Sequence, residues 1–232
     1  ATIVMPKDAP AIKLNRTRAA GAEIVTFDRE TENREQIAAD ISEERGACFI
    51  PPYDHPHIIA GQGTAGLELM RQAQEKDLVP DILLAPCGGG GLIAGLSLAV
   101  KHVNPDISVY AVEPEDFDDL GRSLSSGKRE RNKALSGSIC DALLANMPGE
   151  LTFEINRQML AGALRVSDED VREAMRFAFN DLKLVVEPGG AVALAALRSG
   201  CVPVAGKTVA IVISGGNVDG RQFAGVLSGK AA

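Results

Sequence analysis

Short apolar runs alternate with charged, amphipathic segments over the first fifty residues. The runs ATIVMP, EIVTF and ACFI have the length and apolar content of buried strands. Two intervening segments, one after Pro10 and one over TENREQIAADISEER, carry charged residues at helical spacing, and Gly21 and Gly46 follow them where helices commonly end. An order of strand, helix, strand, helix, strand is typical of a parallel sheet, so we expect an α/β fold.

Three prolines within residues 51–57 interrupt this alternation. The stretch PPYDHPH is therefore the best candidate for a domain boundary. We expect residues 1–52 to be the C-terminal part of a small domain and residues 53–232 to form a larger domain around a mainly parallel sheet. Because the first residues look like the inside of a strand and no Met opens the sequence, we also expect a further segment to precede it.

The alternation resumes after the prolines. Apolar runs predict strands over DILLAP, SVYAVE and TVAIVIS, and helical spacing predicts helices over LIAGLSLAVKHV, EDVREAMRFAFNDL and EPGGAVALAALR. Ser167 and Asp170 have the spacing of a capping box at the second of these helices. The glycines of AGQGT predict turns before another helix, and the polar residues 121–138 predict a surface excursion.

The stretch PCGGGGLIAG places four consecutive glycines, Gly88–Gly91, between a predicted strand and a predicted helix. Glycine allows backbone conformations that other residues avoid, and it leaves N–H groups open to a ligand. The start of the following helix adds partial positive charge. We name residues 88–91 the glycine corner and expect it to bind an anion, above all a phosphate group.

Charge and composition exclude several other classes of function. The formal net charge of −7 and the lack of a basic block argue against nucleic-acid binding. No apolar run approaches the roughly 20 residues that span a bilayer, and no signal pattern opens the sequence, which favours a cytoplasmic protein without membrane contact. The four cysteines contain no C-x-x-C pair, so neither a zinc site nor a disulfide framework is expected.

Two cofactors are compatible with the glycine corner on spacing alone. Gly89, Gly91 and Ala94 satisfy G-x-G-x-x-A after a strand, and Glu113 follows about 20 residues later, as in a nicotinamide-dinucleotide site. A run of four glycines satisfies this pattern readily by chance, and no nearby residue is an evident partner for hydride transfer. The dinucleotide site therefore remains an alternative.

A larger set of motifs points elsewhere. GQGT, PCGGGGL, VEPGGA and SGGN occur in that order, and together they resemble the fold type II pyridoxal-phosphate enzymes of the serine/threonine dehydratase and serine racemase branch. The resemblance implies parallel twisted sheets in two domains, as in the tryptophan synthase β subunit. It also implies that the phosphate of pyridoxal 5'-phosphate binds at Gly88, Gly89, Gly90, Gly91 and Leu92.

The same resemblance assigns two further residues to the cofactor. Ser214, the first residue of SGGN, stands where the family places a hydroxyl against the pyridine nitrogen, and Glu187 in VEPGGA would lie near the cofactor. A neutral hydroxyl leaves that nitrogen largely unprotonated, which favours loss of a β-leaving group over transamination. Each residue also has a plainer explanation, because a serine can simply end a strand and an acid before a helix complements its dipole.

The acidic segment VEPEDFDD offers a candidate cation site. Glu113, Phe117 and Asp119 match positions where relatives bind a divalent cation through two carboxylates and one backbone carbonyl. Ligation by oxygen alone selects Mg²⁺, Mn²⁺ or Ca²⁺ over Zn²⁺. The alternative is an acidic loop that is merely solvated.

The catalytic residue of this family is missing from the sequence. The Schiff-base lysine lies in an S-F-K-x-R-G-A-like motif and the substrate carboxylate binds an S-G-N-H-like loop, and neither motif occurs here. We therefore expect a missing N-terminal segment to supply both, and we expect residues 1–232 alone to be inactive. With that segment, the implied reaction is β-elimination of a small hydroxyamino acid such as L-threonine or L-serine to a 2-keto acid and ammonia, by a homodimer. Racemisation, dehydration of 3-hydroxyaspartate and a non-catalytic ligand-binding role are the alternatives.

Overall fold

The computed structural model of the chain describes residues 1–229 and contains two parallel sheets. The strands are β1 (Thr2–Pro6), β2 (Glu23–Phe27), β3 (Ile82–Pro86), β4 (Ser108–Pro114), β5 (Gly162–Val166) and β6 (Val209–Ile211). The helices are α1 (Ala11–Ala19), α2 (Arg34–Arg45), α3 (Pro56–Gln74), α4 (Gly91–Val103), α5 (Asp119–Ser126), α6 (Glu150–Met159), α7 (Asp168–Asn180), α8 (Pro188–Arg198) and α9 (Gly220–Ser228). The predicted α/β class and the parallel direction of the strands are confirmed.

The first sheet contains only β1 and β2, which pair in parallel from Thr2↔Glu23 to Pro6↔Phe27. The helices α1 and α2 follow these strands as predicted, and Gly46 takes the left-handed conformation after α2. The strand predicted over ACFI is wrong, because residues 47–50 form no strand and Ile50 is 69% exposed. A strand needs a neighbour for its backbone hydrogen bonds, and no described residues pair with this segment.

The second sheet has the order β5-β4-β3-β6, with every pair parallel. Side chains of β3 alternate between its two faces. Ile82 and Leu84 join one buried cluster with α7, α8 and α9, whereas Leu83 and Ala85 join another with α3, α4 and α6. The central strand is therefore covered on both sides, which explains why DILLAP is apolar at nearly every position.

The helix α3 starts at Pro56, before the glycines that were predicted to form turns. Gly63 and Gly66 lie where α3 crosses α4 at short range, whereas Gly61 has open space beside it. A Cβ on Gly66 would lie 2.9 Å from the Cβ of Ala99, and one on Gly63 would lie 3.1 Å from the carbonyl oxygen of Gly95. Gly63 and Gly66 therefore serve helix packing, and the prediction of turns over AGQGT is wrong because the whole segment is helical.

Of the remaining predictions about local structure, one is confirmed and one is partly wrong. The capping box of Ser167 and Asp170 is formed at the start of α7. The predicted surface excursion over residues 121–138 is partly wrong, since α5 occupies its first part. The elements α6, β5 and α9 were not anticipated. Within the described part of the chain, no helix has the length and apolar character needed to cross a lipid bilayer.

Candidate active site

Three segments lie at the same edge of the second sheet, where the carboxyl ends of its strands are: the glycine corner, the acidic segment VEPEDFDD and the SGGN segment. They follow β3, β4 and β6 respectively, and these strands are parallel neighbours. The N–H of Val212 donates to the carbonyl of Leu84 at 2.9 Å, so the chain after β6 stays beside β3. Ligands of open parallel sheets bind at the carboxyl ends of the strands, and this edge is therefore the candidate active site.

The backbone of the glycine corner is packed too closely for side chains. A Cβ on Gly89 would overlap the aromatic ring of Tyr53, and a Cβ on Gly91 would lie 2.8 Å from the Cβ of Tyr53. A Cβ on Gly90 would lie 2.8 Å from the amide nitrogen of Asn156, and Gly90 has a φ of 94°, which disfavours other residues. Tyr53 and α6 therefore enclose the corner and explain its need for glycine.

The amides of the corner are free to bind a ligand. Among residues 1–229, no acceptor lies within hydrogen-bond distance of the N–H groups of Gly88, Gly89 and Gly90. The first-turn N–H groups of α4, which begins at Gly91, have no intrahelical acceptor either. The corner thus presents consecutive unpartnered donors at the positive end of a helix, which is the arrangement that binds phosphate. This observation fits the phosphate of pyridoxal 5'-phosphate.

Ser214 and Glu187 lie near each other beside the sheet edge. Ser214 is exposed three residues beyond the last residue of β6. Glu187 precedes α8, its N–H donates to the carbonyl of Gly215 at 3.0 Å, and its carboxylate occupies the space that a Cβ on Gly215 would need. The carboxylate makes no capping hydrogen bond to α8, so capping of the helix does not account for it.

Glu113 and Asp119 form a buried acidic pair. Glu113 is fully buried, and its carboxylate accepts the N–H of Leu120 at 2.8 Å and of Gly121 at 2.9 Å. Asp119 is 1% exposed, and its Oδ1 accepts the amide of Asn132 at 2.7 Å. Burial raises the pKa of Asp119 to about 7, and burial together with the neighbouring Asp119 raises the pKa of Glu113 well above its ordinary value.

One oxygen of this pair lacks a partner. Asp119 Oδ2 is buried with no hydrogen-bond donor within the described residues. Phe117, the candidate source of a carbonyl ligand, is buried, and it lies between the two acids in the sequence. No group of three His, Cys, Asp or Glu side chains in residues 1–229 could hold a metal ion, so a cation here would depend on two carboxylates, a carbonyl and water.

Two basic residues of α1, Lys13 and Arg16, contact Asp141 and the SGGN segment. The sequence analysis did not identify them as site residues. The Lys13 ammonium binds the Asp141 carboxylate at 2.6 Å, and the Arg16 guanidinium donates to the Asn217 side chain at 2.8 Å. Asn217 is the last residue of SGGN. Their spacing of three residues places both cations on one face of α1, and that spacing is the signal that could have identified them.

None of the lysines of the sequence lies in a context that resembles the catalytic motif, and the structure shows what the ammonium groups of four of them contact. Lys13 binds Asp141, Lys7 lies 3.6 Å from Glu32, and Lys101 and Lys183 donate to backbone carbonyls. Each of these four ammonium groups therefore has a partner within the protein.

Comparison with known proteins identifies the family. The family model described as pyridoxal-phosphate dependent enzyme matches residues 1–215. An L-threo-3-hydroxyaspartate ammonia-lyase of Pseudomonas sp is 42% identical, covering 99% of this chain and 70% of that protein. The serine racemase of Schizosaccharomyces pombe is 39% identical over 98% of this chain and 69% of its own length. The crystal structure of the T.th. threonine deaminase superposes with a TM-score of 0.86 at 46% identity, over 94% of this chain and 70% of that one.

The match decides between the two cofactors that spacing alone left open at the glycine corner. The fold of the structural relatives agrees with the two parallel sheets described above. The chain belongs to the family of pyridoxal-phosphate-dependent enzymes.

Proposed function

We propose that this protein catalyses β-elimination of a small hydroxyamino acid, such as L-threonine or L-serine, to a 2-keto acid and ammonia. The run of unpartnered N–H groups at Gly88–Gly90 carries the proposal, because it supplies a phosphate site at the sheet edge. The relatives named as ammonia-lyases, deaminase and racemase support the substrate class. Racemisation shares removal of the α-proton with elimination, so it is the second candidate activity.

Different residues of this chain are proposed to bind the phosphate and the pyridine ring of the cofactor. When bound, pyridoxal 5'-phosphate supplies an electron sink that makes the α-proton of an amino acid acidic. The N–H groups of Gly88–Gly91 and Leu92 hold the phosphate, and Tyr53 packs against Gly89 and Gly91 of the corner. Ser214 offers a neutral hydroxyl to the pyridine nitrogen, and Glu187 lies beside the backbone that follows it. An uncharged partner at that nitrogen favours loss of the β-hydroxyl over transamination.

A divalent cation, Mg²⁺, Mn²⁺ or Ca²⁺, is proposed to bind Glu113, Asp119 and the carbonyl of Phe117. The support is the buried, unpartnered Asp119 Oδ2 and the pairing of two carboxyl groups without a buried cation beside them among the described residues. A bound cation would offset the repulsion between the two carboxylates. The cation would stabilise the start of α5, whose N–H groups already bind Glu113.

The proposed organisation of the protein follows from the same family. Residues 1–52 would complete a small domain around the first sheet, and residues 53–232, of which 230–232 lie outside the described residues, would form the large domain around the second. The contacts of Lys13 with Asp141 and of Arg16 with Asn217 would then join the two domains beside the cofactor. The protein is proposed to act as a homodimer, which light scattering of the complete polypeptide tests.

The activity test is an assay of the complete encoded polypeptide with pyridoxal 5'-phosphate. We expect ammonia and 2-keto acid from L-threonine, L-serine or L-threo-3-hydroxyaspartate, with chiral chromatography reporting any D-amino acid. Gly90→Ala is expected to abolish most of the activity, whereas Gly61→Ala, whose added Cβ meets open space, is the matched control. Absence of keto acid and of inverted amino acid with all three substrates would refute the proposed function.

A further inference from the structure

Two polar residues of α6 lie directly beneath the glycine corner. Thr152 and Asn156 are both fully buried. The Thr152 hydroxyl donates to the carbonyl of Gly89 at 2.7 Å, and the Asn156 amide donates to the carbonyl of Gly90 at 3.2 Å. We propose that Thr152 and Asn156 are positioning residues, which orient the peptide groups of the corner so that their N–H groups face the cofactor phosphate. This inference rests on the proposed function.

The geometry of the peptide bond connects these contacts to the ligand side. The chain has no cis peptide bond among residues 1–229, so each carbonyl points opposite to the N–H of the next residue. Holding the Gly89 carbonyl toward α6 therefore turns the N–H of Gly90 away from α6. Holding the Gly90 carbonyl does the same for the N–H of Gly91. Both of these N–H groups belong to the candidate phosphate site.

The start of α6 is itself tied to the corner. The N–H of Gly149 donates to the same Gly89 carbonyl at 3.2 Å. The carboxylate of Asp54 accepts the N–H of Glu150 at 2.8 Å and of Thr152 at 3.0 Å. Asp54 directly follows Tyr53, whose ring covers Gly89. Residues 53–54 and the first turn of α6 therefore bind each other, and both contact the corner.

The side chain of Asn156 has no other evident purpose. Its Oδ1 is buried without a donor in the described residues, although leaving a buried polar atom unpaired is unfavourable. Among residues 1–229, the Asn156 side chain makes one hydrogen bond, to the carbonyl of Gly90. An apolar side chain would fill this space without that penalty, so the amide is explained by what it does to the corner.

Affinities for three probes test the inference. In the complete polypeptide, Thr152→Val is expected to weaken binding of pyridoxal 5'-phosphate and of inorganic phosphate by about three- to tenfold, the range typical for loss of one hydrogen bond. Binding of pyridoxal, which lacks the phosphate, should not change. Thr152→Ser keeps the hydroxyl and should restore affinity, and Asn156→Leu should behave as Thr152→Val does.

The control is Ser97→Ala. Ser97 is also fully buried, and its hydroxyl also donates to a backbone carbonyl, that of Ala94 at 3.0 Å, but it does not touch the corner. Ser97→Ala should lower the melting temperature without changing any of the three affinities. If Thr152→Val does not fold, the comparison of Asn156→Leu with Ser97→Ala decides the question.

The outcomes separate this inference from the proposed function. Equal phosphate affinities in wild type, Thr152→Val and Asn156→Leu would overturn the positioning role while leaving the cofactor site intact. Parallel losses of pyridoxal and pyridoxal 5'-phosphate affinity would also overturn it, since they would indicate general loss of structure. Failure of the wild type to bind any of the three probes would instead remove the proposed function.

Discussion

The stability of this protein should fall as pH rises, because of the buried carboxyl group of Asp119. Its pKa is raised from 3.8 to about 7 by burial. Between these values the folded protein holds a proton that the unfolded chain has lost, so the free energy of unfolding decreases with increasing pH. Between pH 3.8 and about pH 7, the free energy of unfolding should fall by about 4 kcal/mol in total, at 1.36 kcal/mol for each pH unit. Glu113 acts in the same direction, since its pKa is raised as well.

Urea unfolding at pH 5 and pH 8 in the presence of a chelator measures this effect. About two pH units separate pH 5 from the folded-state pKa of Asp119. The free energy of unfolding of the wild type should therefore fall by about 3 kcal/mol through this residue between pH 5 and pH 8. Asp119→Asn cannot ionise and should lose much less. Asp116→Asn, an exposed neighbour in the same segment, is the control and should follow the wild type.

Divalent cations extend the same experiment. A bound cation favours the ionised carboxylates, so Mg²⁺, Mn²⁺ or Ca²⁺ should restore stability at pH 8 in the wild type and not in Asp119→Asn. The reasoning would be refuted if wild type and Asp119→Asn lost stability in parallel between pH 5 and pH 8. Restoration of both proteins by the cation would refute the proposed cation site alone.

Two further predictions concern the corner and the contact of α1. Gly90→Ala should destabilise the fold by about 1–3 kcal/mol, because its Cβ would crowd α6 and its φ is positive, whereas Gly61→Ala should be neutral or stabilising by thermal unfolding. Equal melting temperatures of the two variants would contradict the packing described for the corner. Lys13→Met and Asp141→Asn should each cost about 1 kcal/mol, and their double-mutant cycle should show coupling, because the partly buried pair is 2.6 Å apart. Additive losses would show that the pair contributes nothing.

The local features of the site were accessible from the sequence. The strand β3, the glycine corner and α4 are contiguous, and each has its own signal in apolar runs, consecutive glycines and helical spacing. The neighbourhood of the acidic segment and SGGN could also be predicted, because parallel strands bring their carboxyl ends to one edge.

The features that depend on distant parts of the chain were not accessible. Thr152 contacts Gly89 across 63 positions, and no spacing rule indicates such a contact. Glycines of α3 were mistaken for turn residues because the reason for Gly63 and Gly66, the close crossing with α4, lies in tertiary packing. Residues 47–50 were mistaken for a strand because apolar content predicts burial and cannot reveal that a pairing strand is lacking nearby.

The central claim is that the backbone amides of the glycine corner bind the phosphate of pyridoxal 5'-phosphate. Amide resonances of the ¹⁵N-labelled complete polypeptide, followed during titration with the cofactor, test it most directly. We predict saturable shifts of Gly88–Gly91 and Leu92 with pyridoxal 5'-phosphate, and none at these residues with pyridoxal. Unchanged corner amides while other residues respond, or shifts of the corner with NADH instead, would contradict the account.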